Sequence, residues 1–121
     1  MNESKPPITW NSLVVTYLGA HILQANEWGQ FKGRYGWQPL HIIWNEQIYR
    51  IIDPTISPSY NAYTVGPERP VAVAQVLRRN ATIYGLDTHF CILYVPKGPL
   101  LDWTNAALCR RVLSDLARIA Q

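Results

Sequence analysis

The chain is poor in the features that would name a chemistry directly. It has two cysteines, Cys91 and Cys109, and neither has a His or Cys three or four residues away, so spacing offers no metal site. Cys91 sits in an apolar strand-like run and Cys109 on an expected helix face, where cysteine most often serves as a small buried hydrophobe. No Lys/Arg run builds a stripe that could track a nucleic-acid backbone. Eleven basic residues against eight acidic ones give a net charge of only +3, a weak preference for anionic ligands. No apolar run approaches the roughly 18 residues that span a bilayer. The segment Met1 to Pro7 has no apolar core, which excludes a secretory signal there. These absences point to a cytoplasmic location, with peripheral contact at the inner membrane face as the remaining membrane association. A Gly-x-Ser-x-Gly elbow, a phosphate-binding glycine loop before Lys-Ser or Lys-Thr, and a His-Glu-x-x-His helix are all missing. The catalytic residues therefore stay unknown at this level.

What is present is enough for one folded domain. At 121 residues, 48% hydrophobic and 16% charged, the usage is globular, and a domain of this length buries roughly two thirds of the surface of its unfolded chain. Thr9 or Asn11 can cap a helix carrying Trp10, Leu13, Val14, Tyr17 and Leu18, with Gly19 as its stop. His21 to Gln24 reads as a short strand or extended link, and Asn26 as the cap of a second helix through Glu27, Trp28, Phe31 and Lys32. Trp37 to Trp44 reads as a strand, with Pro39 at its start or edge. Ile48 to Ile52 pairs back across an Asn45-Glu46-Gln47 turn. A Pro-rich loop or insert is expected over 53–70, because Pro54, Pro58, Pro67 and Pro70 are interleaved with Ser, Asn, Tyr and Gly66. Val71 to Leu77 and Phe90 to Val95 are β-branched apolar runs, hence strands, with Arg78-Arg79-Asn80 facing solvent. Asp102 or Thr104 would cap a last helix on which Leu108, Val112, Leu116 and Ala120 share a face. The fold class is α+β, a mixed or antiparallel sheet packed by helices.

Two segments carry candidate chemistry. Lys32 follows Trp28 by four residues, so both project from one helix face, where an ammonium could meet phosphate; the alternative is a solvated lysine beside a half-buried tryptophan. Tyr94-Val95-Pro96-Lys97-Gly98-Pro99 places Lys97 just past a strand end between turn residues, a ready anion or sugar contact, or simply the bend into the last helix. The carboxylates Glu27, Asp53, Asp87 and Asp102 are isolated, and His21, His41 and His89 lie far apart among apolar residues, which favours structural roles.

Taken in order, Ile22-Leu23-Gln24, Glu27-Trp28-Gly29, Phe31-Lys32 and Gly36-Trp37-Gln38-Pro39, followed by Gln75-Val76-Leu77-Arg78-Arg79 and Tyr94 to Pro99, resemble the N-terminal part of the FemA/FemB/FemX family of peptidoglycan bridge-forming aminoacyltransferases. The resemblance implies the opening portion of a GNAT-like (N-acetyltransferase-type) domain, with a second domain, an Asp-Pro strand and further site residues lying beyond this stretch. It implies a UDP-linked or lipid-linked muropeptide as acceptor, aminoacyl-tRNA as co-substrate in place of a cofactor, and Lys32 at the position that contacts the substrate diphosphate. Trp28, Tyr94 and Lys97 would shape the rest of the pocket, and a second polypeptide could complete the fold. Another reading is a non-catalytic muropeptide-binding or partner-assembly module. An acetyl-CoA-dependent acyltransferase fits less well, since no Gln/Arg-x-x-Gly-x-Gly/Ala stretch occurs.

Overall fold

A computed structural model describes residues 9–55 and 70–121, apart from the side chains of Ile83, Asp87 and His89. The loop expected over 53–70 thus lies, from 56 to 69, outside the described residues. The elements are α1 (Trp10–Val14), a 3-10 turn (Ile22–Gln24), α2 (Asn26–Gly33), β1 (Gln38–Trp44), β2 (Tyr49–Ile52), β3 (Ala72–Ile83), β4 (Leu86–Tyr94), β5 (Leu100–Leu101) and α3 (Ala106–Ile119). The fold is α+β. Its five-stranded sheet runs β2-β1-β3-β4, with β5 also pairing with β3, and every pairing is antiparallel.

Register explains which residues share a face. His41 pairs with Gln75 and Ile43 with Val73, so alternation puts these four on one side of the sheet. There Trp10, Leu13 and Val14 of α1 close over Ile43, Ile52, Val73 and Leu100. The intervening residues Ile42, Trp44, Ala72, Ala74 and Val76 point the other way, under Val112, Leu108, Leu116 and Ile119 of α3. Helices therefore cover both faces. Pro39 stands at the start of β1, opposite Leu77 of β3 and ahead of the residues that pair with β2, so its missing N–H breaks no ladder on the β2 side.

Several local expectations are corrected. α1 stops at Val14 rather than reaching Leu18: the Thr16 hydroxyl and N–H both go to the Leu13 carbonyl, and the Tyr17 N–H to Val14, tightening the chain into i→i+3 turns. Leu18 is fully exposed. His21 to Gln24 is a 3-10 turn, not a strand, because the two side chains form a reciprocal cap. His21 Nδ1 accepts from Leu23 N–H at 3.1 Å, and Gln24 Oε1 accepts from His21 N–H at 2.6 Å. Asn26 is not the cap of α2; Ala25 occupies that position, and the Asn26 N–H is taken by Asn11 Oδ1 at 2.8 Å. α3 is capped by Asn105, whose side chain accepts from Leu108 N–H. Asp102 instead accepts from the Thr104 hydroxyl and N–H, contacts that hold its carboxyl below the ordinary range.

The largest difference concerns the hairpin. The strand expected to end at Leu77 runs on through Arg78 and Arg79 to Ile83, turns at Tyr84-Gly85, and returns from Leu86. Both turn residues have positive φ (52° and 78°), the requirement of a two-residue type I′ hairpin turn. On α2, Gly29 is buried where an added Cβ would lie 2.5 Å from Gln75 Oε1 and 3.1 Å from Pro39 Cβ. The missing side chain lets α2 sit directly on β1 and β3.

Candidate binding site on the α2 side of the sheet

Trp28 and Lys32 lie on α2, and the Lys32 ammonium sits 5.3 Å from the centre of the Trp28 ring, a cation–π contact set by the i, i+4 spacing. Trp28 stacks on Phe31 (5.4 Å), which meets Tyr35 (5.2 Å). The indole Nε1 of Trp28 is buried with no hydrogen-bond partner among the described residues. Such an orphan donor is costly unless something else satisfies it.

From Tyr35 the row continues through Arg79. Its guanidinium donates to the Tyr35 carbonyl and, at 3.5 Å, to that of Gly36, and it lies 4.6 Å over the Trp37 ring. Trp37 in turn meets Tyr94 edge-on at 6.3 Å. This corrects the expectation that Arg79 faces solvent: it is partly buried and staples the end of the α2–β1 connection to β3. Phe31, Tyr35 and Tyr94 remain 45%, 61% and 48% exposed. The result is a strip of two aromatic groups, Trp28–Phe31–Tyr35 and Trp37–Tyr94, bridged by Arg79 through the Tyr35 and Gly36 carbonyls and with Lys32 and Arg79 against its rings, a composition that suits a ligand carrying both rings and negative charge.

Lys97 occupies the other end of the site. Gly98 N–H donates to the Val95 carbonyl at 2.9 Å, closing a turn whose central residues are Pro96 and Lys97. With proline first and φ +61° at Lys97, this is a type II turn. It bulges out between β4 and β5, both of which pair with β3. The side chain of Lys97 is exposed.

The structure therefore brings the two candidate segments side by side, at two points. Trp37 meets Tyr94, and Gln24 Nε2 donates to the Gly98 carbonyl at 3.3 Å across 74 residues of sequence. Lys32 and Trp28 belong to the α2 end of the strip, Tyr94 to its β4 end and Lys97 to the adjoining turn.

Beneath the strip lies a buried polar network, and its members escaped selection as functional residues. Gln75 Nε2 donates to the carbonyls of Ala25 (2.8 Å) and Leu23 (3.2 Å), while its Oε1 faces His41 Nε2 at 3.1 Å. With the amide nitrogen committed to carbonyls, the oxygen must accept, so His41 carries its proton on Nε2. Burial pushes the His41 pKa down to about 4 against the smaller opposing effects of Gln75 and Asp53, and the ring stacks on Trp10 at 3.9 Å and 9°. His41 is thus a neutral structural donor. A signal for this network was available: a glutamine inside Val-Ala-Val-Ala-Gln-Val-Leu must find partners wherever alternation buries it.

Two groups close to α2 that could move protons are engaged in structural contacts. Both oxygens of Glu27 accept from Asn11 Nδ2 (2.9 and 2.8 Å), and His21 caps the 3-10 turn. Among the described residues, no group of three or more His, Cys, Asp or Glu could hold a metal ion, and no helix is long and apolar enough to cross a membrane. A separate depression of about 260 Å³ lies between α1 and the 3-10 turn, lined by Asn11, Val14, Val15 and Ile22 among others; none of the four candidate residues borders it. Comparison with protein-family models, with curated proteins and with solved structures finds no match in any of the three.

Proposed function

We propose that this chain forms part of the muropeptide-binding wall of a Fem-type aminoacyltransferase, an enzyme that moves an amino acid from aminoacyl-tRNA to the stem peptide of a peptidoglycan precursor. The observation that carries the reading is the meeting of the two family-like segments, Leu23 to Trp37 and Tyr94 to Pro99, through Gln24–Gly98 and Trp37–Tyr94. The antiparallel sheet with helices on both faces is compatible with the GNAT-like domain the resemblance implies.

In this reading Lys32 holds the diphosphate of a UDP-linked or lipid-linked muropeptide, an ammonium being a compact donor to phosphate oxygens. Trp28 and Tyr94 offer ring faces to the sugar, and Lys97 supplies a second positive charge. During transfer the acceptor amine attacks the aminoacyl ester carbonyl, loses a proton and expels the tRNA hydroxyl. What this chain contributes is placement of the acceptor, a large part of the acceleration in a reaction between two bound substrates. A second domain or a second polypeptide would supply the rest.

The test is calorimetric titration with a UDP-linked muramoyl pentapeptide. Lys32→Ala should weaken binding about tenfold, the effect of one lost charge-assisted contact. Unchanged affinity would remove Lys32 from the site. A second reading, a muropeptide-binding or partner-assembly module without transferase activity, is favoured by the exposed Phe90, Ile92 and Tyr94 on β4. Supplying aminoacyl-tRNA together with a polypeptide that carries the remaining domain separates the two, because an amide product forms only under the first.

A further inference from the structure

A side-chain amide, that of Gln24, joins the segment leading into α2 to the Pro96–Pro99 turn. Gln24 is 2% exposed and its orientation is fixed by chemistry. Oε1 accepts from the His21 N–H at 2.6 Å, which leaves Nε2 to donate to the Gly98 carbonyl at 3.3 Å. The backbone around it is pinned as well: its own carbonyl accepts from Trp10 Nε1 at 2.8 Å, and Gln75 grips the carbonyls of Leu23 and Ala25 on either side. The turn it reaches is one that needs holding, since Lys97 has a left-handed φ that an L side chain adopts only when its surroundings impose it.

We propose that Gln24 is a positioning residue that couples the two walls of the site. By tying Gly98 to the end of the 3-10 turn that leads into α2, it sets where Lys97 stands relative to Trp28 and Lys32, and it does so without touching the ligand. The proposal rests on the muropeptide reading above for the identity of the ligand, whereas the coupling itself concerns only this chain.

Gln24→Glu makes the bridge titratable. As the neutral acid, the new side chain accepts from His21 N–H and donates to the Gly98 carbonyl as the amide does. Once ionised, it sets a negative oxygen against that carbonyl. Burial favours the neutral acid and raises its pKa above the ordinary carboxylate range. The variant should therefore bind the UDP-linked muramoyl pentapeptide like wild type at about pH 5 and about tenfold more weakly at about pH 8, the effect of one lost buried hydrogen bond. Hydrogen exchange at the Gly98 amide, expressed relative to wild type, should rise over the same range. His21 on the 3-10 turn, His41 on β1 and Lys97 in the turn are common to both proteins, so the ratio isolates residue 24. Gln24→Met, which has no donor at any pH, should bind weakly and exchange faster throughout, and it serves if the Glu variant unfolds at high pH. A pH-independent ratio, or a Gln24→Met protein that binds and exchanges like wild type, overturns the proposal. If wild type itself fails to bind the muropeptide, the functional reading falls, and exchange at Gly98 alone decides the coupling: acceleration in Gln24→Met sustains it and its absence ends it.

Discussion

The two faces of the sheet are closed by helices in different ways. Under α3 the contacts are mainly apolar; among the described residues the polar ones include Trp44 Nε1 donating to Asp115 at 3.0 Å and, at the sheet's end, Arg111 donating to the Asn45 and Glu46 carbonyls at 2.7 and 3.1 Å. Under α1 and α2 the apolar cluster around Val73 and Ile43 gives way to Gln24, His41 and Gln75, each 2% exposed or less, joined to one another or to backbone carbonyls. An apolar face tolerates repacking, whereas a buried polar network admits few arrangements and fixes backbone positions closely. The face that carries the candidate ligand residues is the one built for exact placement, and that coincidence is what a binding site on a rigid support requires.

The sharpest way to break this contrast is a near-isosteric swap on each face. Gln75→Leu would strand the Leu23 carbonyl and the His41 N–H and leave the Ala25 carbonyl only its α2 N–H donors, and should cost about 3–5 kcal/mol in chemical denaturation. Ile42→Leu, under α3, should cost less than about 1.5 kcal/mol. Equal losses would mean that shape rather than polarity holds the α2 side.

A second test uses pH. In the unfolded chain His41 titrates near 6.5, whereas in the fold burial holds it neutral down to about 4. Between those values the unfolded state binds the extra proton, so this contribution is fully favourable above pH 6.5 and is lost as pH falls toward 4. The total is on the order of 3 kcal/mol. His41→Gln keeps a donor for Gln75 Oε1 but does not titrate there, so its stability should fall less steeply than wild type across that window. Superimposable profiles would show that protonation of His41 does not limit the α1 face.

How far the sequence discloses this arrangement differs between the same two faces. β1, β2 and α3 follow from apolar periodicity, and Asn45 makes the β1–β2 turn it suggests, accepting from Gln47 and Ile48 N–H at 2.8 and 2.7 Å. The α2 side is less legible because its determinants are polar and nonlocal. A histidine and a glutamine capping each other hide a 3-10 turn inside an apolar stretch, and the value of Gln24 and Gln75 lies in partners up to 74 residues away. Arg79 reads as a solvent-facing charge until Trp37 and two carbonyls are seen beneath it. Tyr84-Gly85 is not among the dipeptides that announce a type I′ turn, so the hairpin is longer than its apolar runs suggest. Trp28, Lys32, Tyr94 and Lys97 stand out one by one as candidates, whereas of the network beneath them only Gln75 is signalled, by its apolar run, and its partners are not.

The smallest expected effect concerns strain at the edge of the polar face. Lys97 holds φ +61° at the second central position of its turn, where glycine is the favoured residue. A lysine there costs about 1 kcal/mol or more in backbone strain, partly offset because glycine would loosen the unfolded chain. Lys97→Gly should therefore raise stability, by no more than about 1 kcal/mol or a few degrees in Tm. Lys97→Ala removes the same ammonium but keeps the strained backbone, so it should leave stability near wild type. If the lysine is retained for its charge, both variants should bind the muramoyl pentapeptide more weakly while only the glycine variant gains stability. A glycine variant that gains stability and keeps full affinity would show that the strain serves the turn rather than the ligand, and would move the site's second cation away from Lys97.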